Sequence, residues 1–92
     1  VVDFFETALR RGNESLNLES VALASGSPAV GKSLESLSIR QMTGATVLAV
    51  VRNSNAVPNP PADFVLAAGD QLLALGTIAQ LDQLEALVAE VS

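Results

Sequence analysis

The spacing of apolar positions changes from stretch to stretch along this chain, and each change marks an element. Val2, Phe5 and Leu9 recur at helical spacing, with Asp3, Glu6 and Arg10 able to pair along the opposite side. This predicts a helix over residues 1–11, too short to be stable in water unless it lies on something. Gly12-Asn13-Glu14-Ser15 breaks it. Leu18, Val21 and Leu23 then predict a strand over about Leu18 to Ala24, with Val21 and Leu23 on one face. Gly26-Ser27-Pro28 ends that strand. Ser33 is placed to cap a helix over Leu34 to Met42, whose inner stripe is Leu34, Leu37 and either Ile39 or Met42. Gly44 stands where a helix C-terminus takes a left-handed residue.

The run Ala45 to Val51 is continuously apolar and rich in valine, the pattern of a strand buried on both faces. Arg52-Asn53-Ser54-Asn55 turns the chain, and both asparagines tolerate the backbone that a tight turn demands. Pro58, Pro60 and Pro61 forbid a central strand next and allow an edge or an extended segment. A second turn at Gly69-Asp70 leads to a strand over Gln71 to Leu75, which Gly76 stops. Thr77 and Gln80 have capping-box spacing and open a last helix, with Ile78, Leu81, Leu84, Leu87 or Val88, and Val91 expected inward. The order predicts an α+β fold: a small mixed, mainly antiparallel sheet with helices on one face and an N-terminal connector helix.

Composition narrows the chemistry. The 92 residues contain 5 Lys+Arg, 10 Asp+Glu and no His, Cys, Trp or Tyr. One small domain fits this length, and self-association would add useful burial. Without His or Cys there is no imidazole or thiolate for a zinc site, a haem or a Ser-His or Cys-His nucleophile. A net charge of −5 and few aromatics disfavour nucleic acid, which asks for basic patches and stacking platforms. No apolar run approaches the ~20 residues of a membrane-spanning helix, so direct membrane insertion is not expected. Val1 in place of Met is what a piece of a longer protein would show. Binding or regulation is therefore expected rather than catalysis.

Among motifs, Gly26-Ser27-Pro28-Ala29-Val30-Gly31-Lys32-Ser33 matches the phosphate loop G-x-x-x-x-G-K-[ST]. In such a loop Lys32 would reach the outer phosphates and Ser33 would hold magnesium. Against this reading, the chain is short for a nucleotide-hydrolysing domain, and no strand ends in a magnesium-binding acid. The alternative is a Gly-Ser-Pro bend followed by a capped helix. Arg40 and Arg52 flank predicted buried elements, where an arginine can anchor a phosphate or carboxylate bidentately. Arg52 can equally pair with Asp63 or Asp70, or face solvent. The carboxylates are scattered, with no pair suited to acid–base work and no calcium-loop spacing.

The ordered series Val21-Ala22-Leu23, Gly31-Lys32-Ser33-Leu34, Leu37, Ile39-Arg40, Gly44-Ala45, Leu48 to Arg52, Asn59-Pro60, Gly69-Asp70-Gln71-Leu72 and Gly76 resembles the TrkA-C domain. This is the C-terminal lobe of the regulator-of-potassium-conductance (RCK) module. The resemblance implies a cytoplasmic regulatory domain, not an enzyme, attached to a potassium channel, a potassium uptake system or a cation/proton antiporter. It also implies a homodimer with a small-ligand cleft at its interface. By position, the cleft would be lined by Leu34, Ile39, Arg40, Thr46, Val47 and Pro60. Arg40 would face a phosphate, while Leu34, Ile39 and Val47 would clasp the bases. In some bacterial members the ligand is cyclic di-AMP, so a nucleotide second messenger is the class implied, with no cofactor certain. Thr46 stands where nucleotide-binding members favour asparagine, and Ser38 where they carry an acid. These departures weigh against cyclic di-AMP in particular and leave the cleft in place. Residues 1–17 then read as a connector and dimerisation helix with its linker, and 18–92 as the regulatory domain, next to a preceding lobe or a membrane subunit. Two alternatives keep a different role for the chain: a dimerisation module with an idle cleft, and a nucleotide-binding fragment using Lys32 and Ser33.

Overall fold

A computed structural model describes residues 15–90. In chain order these form β1 (Asn17–Ala22), α1 (Leu34–Leu37), α2 (Ile39–Thr43), β2 (Thr46–Arg52), β3 (Asn55–Pro58), β4 (Gln71–Gly76) and α3 (Ile78–Val88). The helix expected over residues 1–11 and the inward Val91 lie outside the described residues. The four strands make one sheet in the order β1-β4-β2-β3. The sheet expected to be mainly antiparallel is antiparallel in every ladder among the described residues.

One row of partners crosses all four strands: Val21 pairs with Leu72, Leu72 with Val50, and Val50 with Val57. Cross-strand partners share a face, and this row faces the helices. Val21, Leu72 and Val50 belong to one buried cluster with Leu81, Leu84 and Val88 of α3, Ile39 of α2 and Ala45. The helices therefore cover one face of the sheet, as the sequence predicts. Pro58 sits on β3, an edge strand, where its missing N–H interrupts no further ladder.

The continuous apolar run of β2 has a cause that its pattern did not reveal. Thr46 pairs with Leu75 and Val47 with Ala74, but Ala49 pairs with Leu73, so Leu48 is an extra residue in a β-bulge. The bulge puts Val47 and Val50, three positions apart, on the same face. Its carbonyl accepts the N–H of Asn59 at 2.7 Å, a tie from the bend to the segment after β3. The expectation of burial on both faces holds only at mid-strand: Ala49 and Val50 are buried, while Leu48 is exposed. In the following turn the positive φ values fall on Asn53 and Ser54 rather than on the two asparagines.

The last helix begins with the predicted capping box. Thr77 Oγ1 accepts the N–H of Gln80 at 3.2 Å, and Gln80 Oε1 accepts the N–H of Thr77 at 2.9 Å. Leu81, Leu84 and Val88 form its buried stripe. Ile78, expected inward, is 68% exposed. At 3.6 residues per turn it lies roughly 90° off the centre of that stripe, so the position that matches by spacing alone points past the sheet.

A candidate ligand cavity

The helix expected over Leu34 to Met42 is two helices. Ser38 takes a left-handed conformation, φ 49° and ψ 45°, and ends α1 where α2 begins. Its first half is held at both ends. Ser33 Oγ accepts the N–H of Ser36 at 3.1 Å as the predicted cap, and the Ser36 hydroxyl donates to the Ser33 carbonyl at 2.8 Å. The N–H groups of Leu34 and Glu35 donate to the carbonyls of Phe64 at 3.0 Å and Ala62 at 2.8 Å, fixing α1 against the segment before β4. In the second half, Ile39 is buried and Met42 exposed, which decides between the two candidates for the inner stripe.

The end of α2 is built as tightly. The Thr43 hydroxyl donates to the Ile39 carbonyl at 2.7 Å, and its oxygen accepts the N–H of Ala45 at 3.0 Å. Gly44 has the left-handed conformation predicted for it, φ 82°. A Cβ there would come 2.6 Å from Gln80 Nε2, so the glycine also makes room for the capping side chain of α3.

These constraints shape an open cavity of about 550 Å³ on the surface. All six residues expected at the cleft line it: Leu34, Ile39, Arg40, Thr46, Val47 and Pro60. They come from three separate segments, brought together by the break at Ser38, the bulge in β2 and the turn after β3. The cavity is also lined by Glu35, Ser38, Gln41, Ala45 and Ala62; only Ser38 among them is expected from the family pattern to bear on the cleft, as a departure from it. A continuous helix would have turned Glu35 and Arg40, five positions apart, well away from each other. The left-handed Ser38 was the missing signal, and serine has no special claim to that conformation.

The lining can hold a ligand with both apolar and charged parts. Leu34, Ile39, Val47 and Pro60 offer apolar surface, Thr46 and Ser38 hydroxyls, and Arg40 and Glu35 opposite charges. Among the described residues neither of those two charged groups enters a salt bridge.

Arg52, the other candidate cation, is committed elsewhere. Its Nε and Nη2 donate to the two carboxylate oxygens of Asp70 at 2.8 and 2.7 Å, and Nη2 also donates to the Val65 carbonyl at 2.9 Å. Its guanidinium lies 4.9 Å from the centre of the Phe64 ring. Of the alternatives open to Arg52, the pair with Asp70 is the one formed.

The phosphate-loop match is likewise used up structurally. The N–H groups of Ser27, Val30, Gly31, Lys32 and Leu34 donate to carbonyls of Ala24, Ser27, Leu66, Ala29 and Phe64, and that of Ala29 donates to Ser27 Oγ. A phosphate cradle needs such groups pointing at the ligand. The Ser33 hydroxyl, which would hold magnesium, caps α1 instead.

The family model described as "TrkA-C domain" matches residues 18–89. The probable potassium channel protein 2 of Methanocaldococcus jannaschii is 34% identical over 92 residues, a match covering 96% of this chain and 27% of that protein. Potassium channel protein 1 of the same organism is 42% identical over 57 residues, covering 62% of this chain and 17% of that protein. The chain thus spans about a quarter, or less, of these relatives. Among solved structures, the RCK C domain of the potassium transport protein KtrA in complex with cyclic diadenosine monophosphate superposes with a TM-score of 0.78 at 22% identity, covering 95% of this chain and 94% of that one. BusR of S. agalactiae in complex with its busAB-promotor DNA gives a TM-score of 0.73 at 22% identity, covering 94% of this chain and 43% of that one. At these identities the two structures share its fold.

Proposed function

The chain belongs to the TrkA-C domain family, and from that premise we propose that it is a cytoplasmic, ligand-sensing regulatory domain of a potassium channel or related cation transporter. It works as a homodimer, with residues 1–17 joining it to a preceding lobe or membrane subunit. The observation that carries the reading is the convergence of Leu34, Ile39, Arg40, Thr46, Val47 and Pro60 on one cavity. A nucleotide second messenger suits that cavity: an anionic group beside Arg40 and flat apolar bases against Leu34, Ile39 and Val47. The KtrA domain, whose fold this chain shares, was solved with cyclic diadenosine monophosphate, which supports the same ligand class here.

Regulation by such a domain needs no chemical step. A two-fold dimer brings two copies of the cavity to one interface. A ligand that fits one arrangement of the dimer better than another shifts the attached transporter by that difference in affinity, and by no more. DNA is a poorer partner for this chain, although the BusR relative of the fold was solved with DNA. With net charge −5, the surface repels a polyanion rather than releasing its counterions.

Isothermal titration of the purified chain with cyclic di-AMP and with other nucleotides tests the proposal, together with light scattering for the oligomeric state. A dimer that binds, and loses binding in Arg40→Ala, is expected. A monomer at micromolar concentration, or binding indifferent to Arg40, would overturn it.

A further inference from the structure

The two edges of the sheet are built differently. β3 is four residues long, ends in Pro58 and runs into the left-handed Asn59, features by which an edge avoids taking on another strand. β1 is six residues long and contains no proline, lysine or arginine. It pairs with β4 in an unbroken register. Among the described residues no strand lies on its outer side.

The hydrogen bonds just after β1 fix which groups that outer side presents. The Leu23 N–H donates to the Asp70 carbonyl at 2.8 Å, and the Leu23 carbonyl accepts the N–H of Gly69 at 2.9 Å. Leu23 therefore turns both of its groups inward, and in an antiparallel ladder this direction alternates along the strand. Val21, Glu19 and Asn17 share it, while Ala22, Ser20 and Leu18 turn N–H and carbonyl outward. The outward groups of Leu18 and Ser20 flank Glu19. A strand added there meets Glu19 at a non-hydrogen-bonded position, where facing side chains come closest.

Beside Glu19 is a second surface cavity of about 250 Å³, lined by Asn17, Leu18, Glu19, Ile78, Leu81 and Asp82. It shares no residue with the cavity at Arg40. Leu18 and Ile78 are exposed and Leu81 is buried. Glu19 and Asp82 are exposed carboxylates that enter no salt bridge among the described residues. Apolar walls with two acids suit a side chain that has a long apolar stem and a cationic head. A neutral side chain packed there would cover the carboxylates without pairing them. A second copy pairing through its own β1 would bring acids toward acids.

We infer that β1 is a docking edge for an extended segment of another polypeptide, one that carries a lysine or arginine opposite Glu19 and apolar residues on either side of it. Backbone hydrogen bonds to Leu18 and Ser20 attach the segment. The cation, its stem on Ile78 and its head between Glu19 and Asp82, selects it, because a strand with an acid at that position meets two like charges.

The test uses the full chain and a dye-labelled heptapeptide, capped at both ends, that alternates valine and threonine around a central arginine. A second peptide has glutamate at the centre. Fluorescence anisotropy compares wild type, the double variant Glu19→Gln, Asp82→Asn, and Ser20→Pro. The Ser20 N–H points outward, so proline there removes an edge donor and no bond to β4; thermal unfolding checks that the variants fold. Wild type is expected to bind the arginine peptide at least about tenfold more tightly than the glutamate peptide. The double variant should lose that preference, and Ser20→Pro should bind neither peptide. No binding of the arginine peptide by wild type, equal binding of the two, or a preference kept in the double variant overturns the proposal. If Ser20→Pro does not fold, amide exchange of wild type decides: the arginine peptide should slow exchange at Leu18, Ser20 and Ala22, and unchanged rates there overturn it. Light scattering that shows Ser20→Pro breaking a dimer would give the edge to a second copy and overturn it as well.

Discussion

Asp70 receives Arg52 side-on, one carboxylate oxygen taking Nε at 2.8 Å and the other Nη2 at 2.7 Å. The second oxygen also accepts the N–H of Ala67 at 2.8 Å. Asp70 is fully buried while the Arg52 side chain is 39% exposed, so the pair reaches from the surface to the start of β4. Through Val65 and Phe64, Arg52 also holds the segment that runs into β4. The pair ties together β2, the segment between β3 and β4, and the start of β4.

Removing the buried partner is expected to be costly. Asp70→Ala should lower stability by about 2–3 kcal/mol, since charged and backbone donors lose their acceptor together. The hydrogen bonds from Arg52, helped by that from Ala67, hold the Asp70 carboxyl below its ordinary range despite the opposing effect of burial. A lowered folded value means the contribution is complete above the unfolded value of about 3.9 and is lost as pH falls through the folded value. The stability gap between wild type and Asp70→Asn should therefore be widest near neutrality and shrink in acid. Urea unfolding across pH measures it, and a gap that is flat or grows in acid would contradict the assignment.

Two left-handed glycines separate conformational strain from crowding. Gly31 has φ 84° with nothing within 4 Å of an added Cβ, whereas Gly44 has φ 82° and Gln80 Nε2 at 2.6 Å. Gly31→Ala is expected to cost about 1 kcal/mol for the backbone alone. Gly44→Ala should cost more, and part of the excess should disappear in a Gln80→Ala background. Equal losses for the two glycines in chemical denaturation would show that Gln80 moves aside freely.

The final helix offers a contrast along one element. Leu84 is completely buried and Ile78 is 68% exposed. Leu84→Ala should destabilise by about 2–5 kcal/mol, while Ile78→Ala should stay within about 0.5 kcal/mol. Thermal unfolding of the two variants distinguishes them. A large loss at Ile78 would mean that it packs against something in solution, such as a second copy.

Magnesium-ATP is expected to leave the melting temperature of the chain unchanged, and Lys32→Ala should behave as wild type does. Within the loop the N–H groups of Ser27, Ala29, Val30, Gly31 and Lys32 already donate to protein oxygens. A melting shift with magnesium-ATP that vanishes in Lys32→Ala would restore the phosphate-loop reading.

Much of this architecture could be read before any coordinates. The cap at Ser33, the left-handed Gly44, the capping box of Thr77 and Gln80, and the edge position of Pro58 each follow from a local rule that needs only neighbours in sequence. The cavity residues came from the resemblance to the TrkA-C family, and the structure places all six along one wall system. What escaped was set by tertiary context. Nothing in Leu34 to Met42 forbids a continuous helix, yet burial of Ile39 and the bonds to Ala62 and Phe64 favour two short ones. The place of Glu35 at the cavity is not legible in the sequence for that reason. Spacing from Leu81 fixes the angle of Ile78 and says nothing about where the sheet ends.

The bulge at Leu48 decides how this strand can change in length. Pairing before it and pairing after it differ by one residue, and Leu48 alone makes up the difference. Deleting Leu48 would leave Val47 opposite Ala74 and Ala49 opposite Leu73, a regular ladder that has merely lost its bend and the tie to Asn59. Deleting Ala49 or Val50 instead would also close the bulge, but would bring Leu48 into the ladder opposite Leu73 in place of Ala49. Of the one-residue deletions between Val47 and Val51, only that of Leu48 leaves every remaining residue with its own partner, which makes Leu48 the reference point for aligning other TrkA-C sequences to this one.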